Sequence, residues 1–310
     1  MPDRNNPQRG SGSESTYSLM EFMREFPDDA ACLDVLWRER YAPDGYHAEC
    51  PKCERERKFH RIKSRPAYSC DSCGRSLYPL AGTIFAKSST SLQLWFYAMY
   101  IMASTRCGAS AKQLERELGV TYKTAWRMFN KIRNELMTED KRQLAGYVEV
   151  DETSVDGKPR KHHRLADDPE ARSKAMKLRE RSRATVFAAV ERGGRVKATV
   201  VRGRRGPHIQ KRVIECVRPE SIVYTDEWPA YNRLGDHFAS HSRVRHASGE
   251  YVMGDVHTHT IEGFFGNLKT GIRGNYKKVS HKWLQGYLNE FTWRYNHRYD
   301  QRSMFPPAHW

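Results

Sequence analysis

Residues 147–153 have the sequence YVEVDET. Apolar and acidic side chains alternate in this segment, as they do along a β-strand that buries one face. Val148 and Val150 lie on one face, and Glu149 and Asp151 lie on the other. The pattern predicts a strand that brings an acidic side chain, Asp151, to its end.

Strand and helix patterns surround this segment. Three further strands are predicted, at Thr185–Val190 (TVFAAV), Arg195–Val201 (RVKATVV) and Ile222–Thr225 (IVYT). From about residue 260 the chain is predicted to be mainly helical. The apolar face of the last helix is predicted to consist of Leu284, Leu288, Phe291 and Tyr295. Strands with helices on either side predict a mixed α/β domain over residues 145–310.

Three acidic residues in this domain are predicted to form a catalytic metal site. Asp151 and Asp226 each end a predicted strand, and Glu262 lies in HTHTIEGFFGNLKTG (257–271), which begins as a loop and continues as a helix. Strand ends that share one edge of a sheet gather reactive groups in one crevice. There the three carboxylates are expected to bind two Mg²⁺ or Mn²⁺ ions about 4 Å apart. Each acid alone is more often a solvated surface group, so the prediction depends on the set.

Lys269 follows Glu262 by seven residues, or nearly two helical turns, and therefore shares its face of the helix. Its ammonium group is predicted to hold a substrate phosphate beside the metal ions. Tyr231 either packs in the core or contacts DNA, and the sequence does not separate these roles. Three tryptophans are expected in the core rather than against nucleobases: Trp228, Trp283 and Trp293.

Four of the seven cysteines form two CxxC pairs. Cys50 and Cys53 are separated from Cys70 and Cys73 by sixteen residues. Two such turns complete a tetrahedron of thiolates for a structural Zn²⁺, which leaves no open position for catalysis. The alternative is a coincidental grouping of free thiols. Lys and Arg between the pairs suggest that this zinc ribbon contacts DNA, although it is equally compatible with a purely structural module.

Residues 110–137 have the pattern of a helix-turn-helix. Gly119 supplies the turn, and Thr121 is predicted to cap the second helix. The predicted inner faces are Ala111, Leu114 and Leu118, then Ala125, Met128, Phe129 and Ile132. The side chains predicted to point outward, toward DNA, are Tyr122, Lys123, Thr124 and Arg127. Two helices can also pack in this way without binding DNA.

Composition agrees with a polyanionic partner. The chain has 310 residues and a formal net charge of +16, which favours nucleic acid as the partner. It contains no uninterrupted apolar run of about 18 residues, so a membrane span is not predicted. The first fifteen residues lack the apolar segment of a secretory signal, and a cytoplasmic location is therefore expected.

The patterns divide the chain into consecutive parts. The predicted parts are a disordered tail (1–16), N-terminal helices (17–40), the zinc ribbon (41–85), the helix-turn-helix region (90–140) and the α/β domain (145–310). Residues 157–183 interrupt the strands with ten basic and four acidic side chains. This basic insertion is expected to follow a phosphate backbone or to be a solvated linker.

Taken together, these residues resemble the DDE transposases of the bacterial insertion-sequence group related to Merlin elements. The resemblance spans nearly the whole chain, and its specific motifs are YVEVDET, YTDEWPAYN, HTHTIEGFFGNLK and YLNEFTWRYNHR. It implies an RNase H-like catalytic domain that cleaves DNA and transfers strands. It also implies binding of an element's terminal inverted repeats and of target double-stranded DNA. Joining two ends implies a homodimer or a larger assembly.

One position departs from the family pattern, because His259 stands where relatives often have Asn. On a helix, His259 and Glu262 face the same way, so His259 is the alternative candidate for the third catalytic residue. Glu262 is preferred because its spacing to Asp226 and Lys269 fits. Two other functions remain open on the sequence alone: an RNase H-like nuclease without strand transfer, and a DNA-binding regulator.

Overall fold

The computed structural model describes residues 17–105, 107–138, 141–155, 169, 184–201, 206–244 and 257–299. The predicted tail (1–16) and, apart from residue 169, the basic insertion (157–183) lie outside these ranges. The described residues fall into two units. The first comprises those of 1–105, 111–136 and 297–310, and the second those of 106–110 and 137–296. No helix among them is long and apolar enough to cross a membrane.

The first unit begins with two short helices and a small sheet. Helices α1 (Leu19–Glu25) and α2 (Asp29–Arg40) are separated at Pro27, and the Asp28 carboxylate caps α2 by accepting the Ala31 N–H at 2.8 Å. The antiparallel sheet contains, in spatial order, β1 (His47–Cys50), β2 (Arg55–Ile62), β3 (Ala67–Cys70) and β4 (Ser76–Leu77). Trp37 of α2 stacks on Tyr68 of β3 with ring centroids 4.1 Å apart, which fixes the helix against the sheet.

Three further helices complete this unit. They are α3 (Leu92–Ser104), α4 (Ala111–Leu118) and α5 (Tyr122–Lys131), which continues as a π-helical turn, Ile132–Leu136. Gly119 has φ +64°, a left-handed conformation that reverses the chain between α4 and α5. Thr121 Oγ1 accepts the Thr124 N–H at 3.3 Å and caps α5, as predicted. All seven predicted inner-face side chains are buried, and α4 and α5 pack against each other.

The second unit is built on a five-stranded mixed sheet. Its strands are β5 (Tyr147–Val155), β6 (Ala184–Glu191), β7 (Val196–Val201), β8 (Ile222–Thr225) and β9 (Ser240–Arg243). The spatial order is β7-β6-β5-β8-β9, with antiparallel pairing on the β6 side of β5 and parallel pairing on the β8 side. Helices α6 (Gly206–Cys216), α7 (His259–Gly271) and α8 (Leu284–Asn296) flank the sheet, and a π-helical turn, Ile272–Tyr276, follows α7.

Each face of the sheet has its own apolar core. Ile261 and Leu268 of α7, with Leu288 of α8, pack on one face. Ile209 and Val213 of α6 pack on the other. Because successive residues of β5 point to opposite faces, Val148 and Val150 join the α6 side. This mixed sheet flanked by helices is the α/β, RNase H-like fold predicted from the sequence.

Three features differ from the sequence predictions. Asp151 does not end its strand, because β5 continues to Val155 and pairs Asp151 with Ala188 of β6. Strand β9 was not predicted, because its sequence SHSR offers no apolar face, and it lies partly exposed beside β8. Trp228 and Trp283 are not core residues as expected, since 40% and 37% of their surfaces are exposed. Trp228 immediately precedes the 3₁₀ segment Pro229–Tyr231, and Trp283 is the last residue of the 3₁₀ segment His281–Trp283, so neither lies on an inward helix face.

The packing of α7 against α8 can be tested at Gly271. A Cβ there would overlap the Phe291 ring and lie 3.1 Å from the Cys107 carbonyl oxygen, so Gly271→Ala should lower the free energy of unfolding by about 1–3 kcal/mol. Gly266 of the same helix has open space around its Cα. Gly266→Ala should therefore raise that free energy by about 0.5–1 kcal/mol, through helix propensity alone. Urea unfolding of the two variants checks both signs, and equal effects would contradict this packing.

Candidate active site and zinc site

The two CxxC pairs converge in the first unit. The four sulfur atoms all lie within 4.8 Å of one another, and Cys50 Sγ is 3.6 Å from Cys73 Sγ. Among the described residues this is the one group of three or more His, Cys, Asp or Glu ligands that is so closely gathered. Such a set of sulfurs fits a tetrahedral zinc ion.

The backbone explains why the sulfurs converge. After each pair the chain turns through a left-handed residue, Glu54 (φ +51°) and Gly74 (φ +68°). The Glu54 N–H then bonds the Cys50 carbonyl at 2.9 Å, and the Gly74 N–H bonds the Cys70 carbonyl at 3.1 Å. Desolvation raises the pKa of the Cys50 thiol, but hydrogen bonds from the backbone N–H groups of Cys53 and Lys52 and from the Cys73 and Cys53 side chains together outweigh it and bring that pKa down to about 6. The thiolate, which is the form that binds zinc, is therefore favoured at Cys50.

In the second unit, Asp151 and Asp226 follow residues that pair in parallel between β5 and β8. The register pairs Tyr147 with Ile222 and Glu149 with Tyr224. The same offset, continued by two residues, leads to Asp151 on β5 and Asp226 just after β8. Adjacent strands lie about 4.8 Å apart, so the two carboxylates belong to neighbouring strand positions.

The Asp151 carboxyl group is largely buried and lies near other negatively charged groups. Burial is the main cause that raises its pKa, and the charges of Asp226, Glu152 and Glu262 add to this effect. The Glu152 N–H, at 2.7 Å from Asp151 Oδ1, opposes it only in part, and the resulting pKa is about 7. Asp226 and Glu262 are therefore both close enough to act on Asp151 electrostatically. The three like-charged groups do not all approach within 4.8 Å of one another.

Local hydrogen bonds orient the other two acids. Asp226 Oδ1 accepts the Trp228 N–H at 3.0 Å. Glu262 lies in the first turn of α7, where Thr258 Oγ1 donates to its Oε1 at 3.2 Å. His259 Nδ1 is 3.8 Å from Glu262 Oε2, and both side chains are about half exposed. The structure thus brings both candidates for the third catalytic residue to the same surface.

Lys269 lies on α7, two turns after Glu262, with a partly buried side chain. Tyr231 packs in the core: it is fully buried, and its hydroxyl donates to Glu152 Oε2. The predicted recognition residues lie on the surface of α5, where Tyr122 is 49% exposed, Lys123 and Arg127 are exposed and Thr124 is half-buried.

Sequence reasoning missed one acidic residue near the site. Glu149 is fully buried and contacts α7 through two hydrogen bonds, from Thr260 Oγ1 at 2.9 Å and from the Ile261 N–H at 3.0 Å. The available signal was its position two residues before Asp151, which places both acids on the face of β5 opposite Val148 and Val150.

Comparisons with known proteins match both units. Residues 143–296 match the ISXO2-like transposase domain, and residues 27–76 match the transposase zinc-ribbon domain. An uncharacterized protein in transposable element ISH50 of Halobacterium salinarum is 30% identical over 281 residues, covering 88% of this chain and 92% of that protein. An uncharacterized transposase-like protein of Haemophilus influenzae is 27% identical over 95 residues, covering 29% of this chain and 76% of that protein.

Removal of zinc should disrupt the ribbon. Cys73→Ser, or chelation of the wild type, is expected to release the bound ion and expose Trp37, because Trp37 packs on the strand that ends in Cys70. Metal analysis measures the release of the ion, and tryptophan fluorescence measures the exposure of Trp37. A Trp37→Phe variant identifies the part of the fluorescence that comes from Trp37. Cys107→Ser, at an exposed cysteine outside the cluster, is the control and should leave both measurements unchanged.

Asp151→Asn should stabilise the protein in the absence of divalent metal. The pKa of Asp151 rises from 3.8 to about 7 on folding, so ionisation destabilises the fold increasingly between those values and fully above about pH 7. At about pH 8 in chelator the variant should be more stable by on the order of 1–3 kcal/mol, and near pH 4 the difference should vanish. Urea unfolding at both pH values measures it. Asp236→Asn, at an exposed turn, is the control, and an Asp151→Asn variant no more stable than wild type at pH 8 would contradict the described environment.

Proposed function

Because the chain belongs to the ISXO2-like transposases, a family of DDE-type insertion-sequence transposases, we propose that it cuts DNA at the ends of a mobile element and joins them to a target. We assign the divalent-metal ligands to Asp151, Asp226 and Glu262. The observation that carries this assignment is the parallel register of β5 and β8, which leads to Asp151 and Asp226 at neighbouring positions. The charges of Asp226 and Glu262 also act on the buried Asp151 carboxyl group and help to raise its pKa. Crowded oxygen ligands of this kind suit Mg²⁺ or Mn²⁺.

The proposed roles follow from the chemistry of each group. When bound, the metal ions supply charge stabilisation to the attacking and leaving oxygens of the phosphodiester. Asp151, Asp226 and Glu262 bind them as carboxylates, and Asp151 must lose its proton to do so. Lys269 contacts a phosphate from the same face of α7 as Glu262. His259, beside Glu262, orients that carboxylate or replaces it as a ligand.

The surface that follows Glu262 favours a DNA strand near the site. Between residues 263 and 289 the chain contains five basic and no acidic side chains. The basic ones are Lys269, Arg273, Lys277, Lys278 and Lys282. All except Lys269 are exposed, and Lys282 Nζ lies 4.8 Å from the centre of the exposed Trp283 ring. Such a basic and aromatic surface suits contact with phosphates and unpaired bases.

The first unit supports recognition of the element's ends. Strand β2 (Arg55–Ile62) carries Arg55, Lys58 and Arg61 along the zinc ribbon, and α5 presents Lys123 and Arg127. We propose that α5 reads the terminal inverted repeats in a major groove and that the ribbon contacts the phosphate backbone. Joining two ends then calls for at least a homodimer.

A metal-dependent strand-transfer assay tests the proposal. With wild-type protein and Mg²⁺, intact element ends should be cleaved, and pre-cleaved ends with a target plasmid should give joined product. Asp151→Asn, Asp226→Asn and Glu262→Gln should each lower cleavage and joining by at least about a hundredfold, because metal stabilisation is worth several kcal/mol. Glu227→Gln, at an exposed carboxylate next to Asp226, is the matched control.

The pattern of results distinguishes the alternatives. Cleavage without joined product would indicate a nuclease, and full activity of all three acid variants would refute the metal assignment. If His259→Ala abolishes activity while Glu262→Gln retains it, His259 rather than Glu262 is the third ligand.

A further inference from the structure

Glu149 is at the centre of a buried polar cluster between β5 and α7. Its side chain is fully buried, and four polar groups surround its carboxylate. Arg192 Nε lies 2.7 Å from Oε1, Thr260 Oγ1 donates to Oε1 at 2.9 Å, and the Ile261 N–H donates to Oε2 at 3.0 Å. His257 Nδ1 lies 3.3 Å from Oε1 but is not aligned for a hydrogen bond. A charge removed from water to this extent needs such partners to remain in the fold.

This carboxylate caps the first turn of α7 from outside the helix. Thr258 is the N-cap residue but makes no capping hydrogen bond with its own side chain. Instead, Glu149 accepts the N–H of Ile261, the residue immediately before Glu262. A negative group at this position also interacts favourably with the positive end of the helix dipole. The position of the first turn of α7 is therefore set from β5.

Arg192 also holds the cluster together, through contacts with three segments of the chain. It lies just after β6, where its backbone N–H bonds the Tyr147 carbonyl at 2.9 Å. Its guanidinium group donates to the His257 carbonyl at 2.8 Å as well as to Glu149, and lies 4.5 Å from the centre of the Tyr224 ring. The guanidinium thus connects the segment that enters α7 with residues of β5 and β8.

We propose that Glu149 is a positioning residue for the catalytic acids and binds no metal itself. Glu149 and Asp151 share one face of a central strand, and Glu149 holds the backbone next to Glu262. Its hydrogen bonds therefore fix Glu262 relative to Asp151 before any cation arrives. This inference rests on the proposed metal assignment. Loss of Glu149 should weaken metal binding without removing a ligand.

The chain offers a matched control for burial alone. Glu290 is a second fully buried glutamate, paired with Arg294 and bonded by the Tyr276 hydroxyl at 3.0 Å in the same unit. It lies on α8, away from the elements that carry Asp151 and Asp226. Glu149→Gln and Glu290→Gln should both reduce stability, because each removes a buried carboxylate charge that is paired with an arginine, half-buried Arg192 in one case and buried Arg294 in the other. Only Glu149→Gln should alter metal binding.

The experiment measures Mn²⁺ binding by electron paramagnetic resonance and amide hydrogen exchange over residues 257–265 in the full chain. Glu149→Gln should raise the Mn²⁺ dissociation constant about tenfold and speed exchange at the start of α7. Glu290→Gln should do neither. Thr260→Val removes one hydrogen bond to Glu149 with little change in shape, and should raise the constant about two- to fivefold. If Glu149→Gln does not fold, the Mn²⁺ affinity of Thr260→Val tests the positioning role by itself.

The outcomes separate this inference from the proposed function. Wild-type Mn²⁺ affinity in Glu149→Gln and Thr260→Val, alongside lost affinity in Asp151→Asn, would overturn the positioning role and leave the metal site intact. Equal weakening by Glu149→Gln and Glu290→Gln would overturn it too, as a general effect of packing. Wild-type affinity in Asp151→Asn and Asp226→Asn would overturn the metal assignment, and the positioning role with it.

Discussion

The arrangement of the second unit depends on holding like charges together beside the central strand of a buried sheet. Acidic groups repel one another and lose hydration when buried, so their convergence must be stabilised by the rest of the fold. Pairing of β5 with β6 fixes Asp151 opposite Ala188, and pairing with β8 holds the start of the same strand. Apolar packing on both faces of the sheet keeps that strand rigid. The raised pKa of Asp151 expresses the cost of this arrangement, which a bound cation would reverse.

The first unit has a different constraint, which is the small size of its apolar core. A four-stranded sheet this small buries little apolar surface, so crosslinking by a metal ion is an effective way to stabilise it. The Trp37–Tyr68 stack adds an apolar contact that ties the preceding helix to the ribbon. Both units therefore combine a hydrophobic support with a polar cluster, of sulfur in one and of carboxylate oxygen in the other.

Much of this could be predicted from local sequence, because alternation, CxxC spacing and the Gly119 turn each reflect short-range geometry. The strands around Asp151 and Asp226 and the helix-turn-helix followed from such patterns. Strand β9 could not be predicted, since SHSR carries no apolar signal and pairs only because β8 offers an open edge. The roles of Glu149 and Tyr231 could not be predicted either, because their hydrogen-bond partners Arg192 and Glu152 lie more than forty residues away along the chain.

The shared register of β5 and β8 restricts how this chain can diverge. Side chains alternate along a strand, so inserting or deleting one residue between Ile222 and Asp226 would turn that carboxylate to the opposite face of the sheet. Connections between strands are not constrained in this way, since the entropy of closing a loop grows only slowly with its length. Relatives should accordingly differ in length between β5 and β6, or between β7 and β8, while the spacing within each strand stays constant.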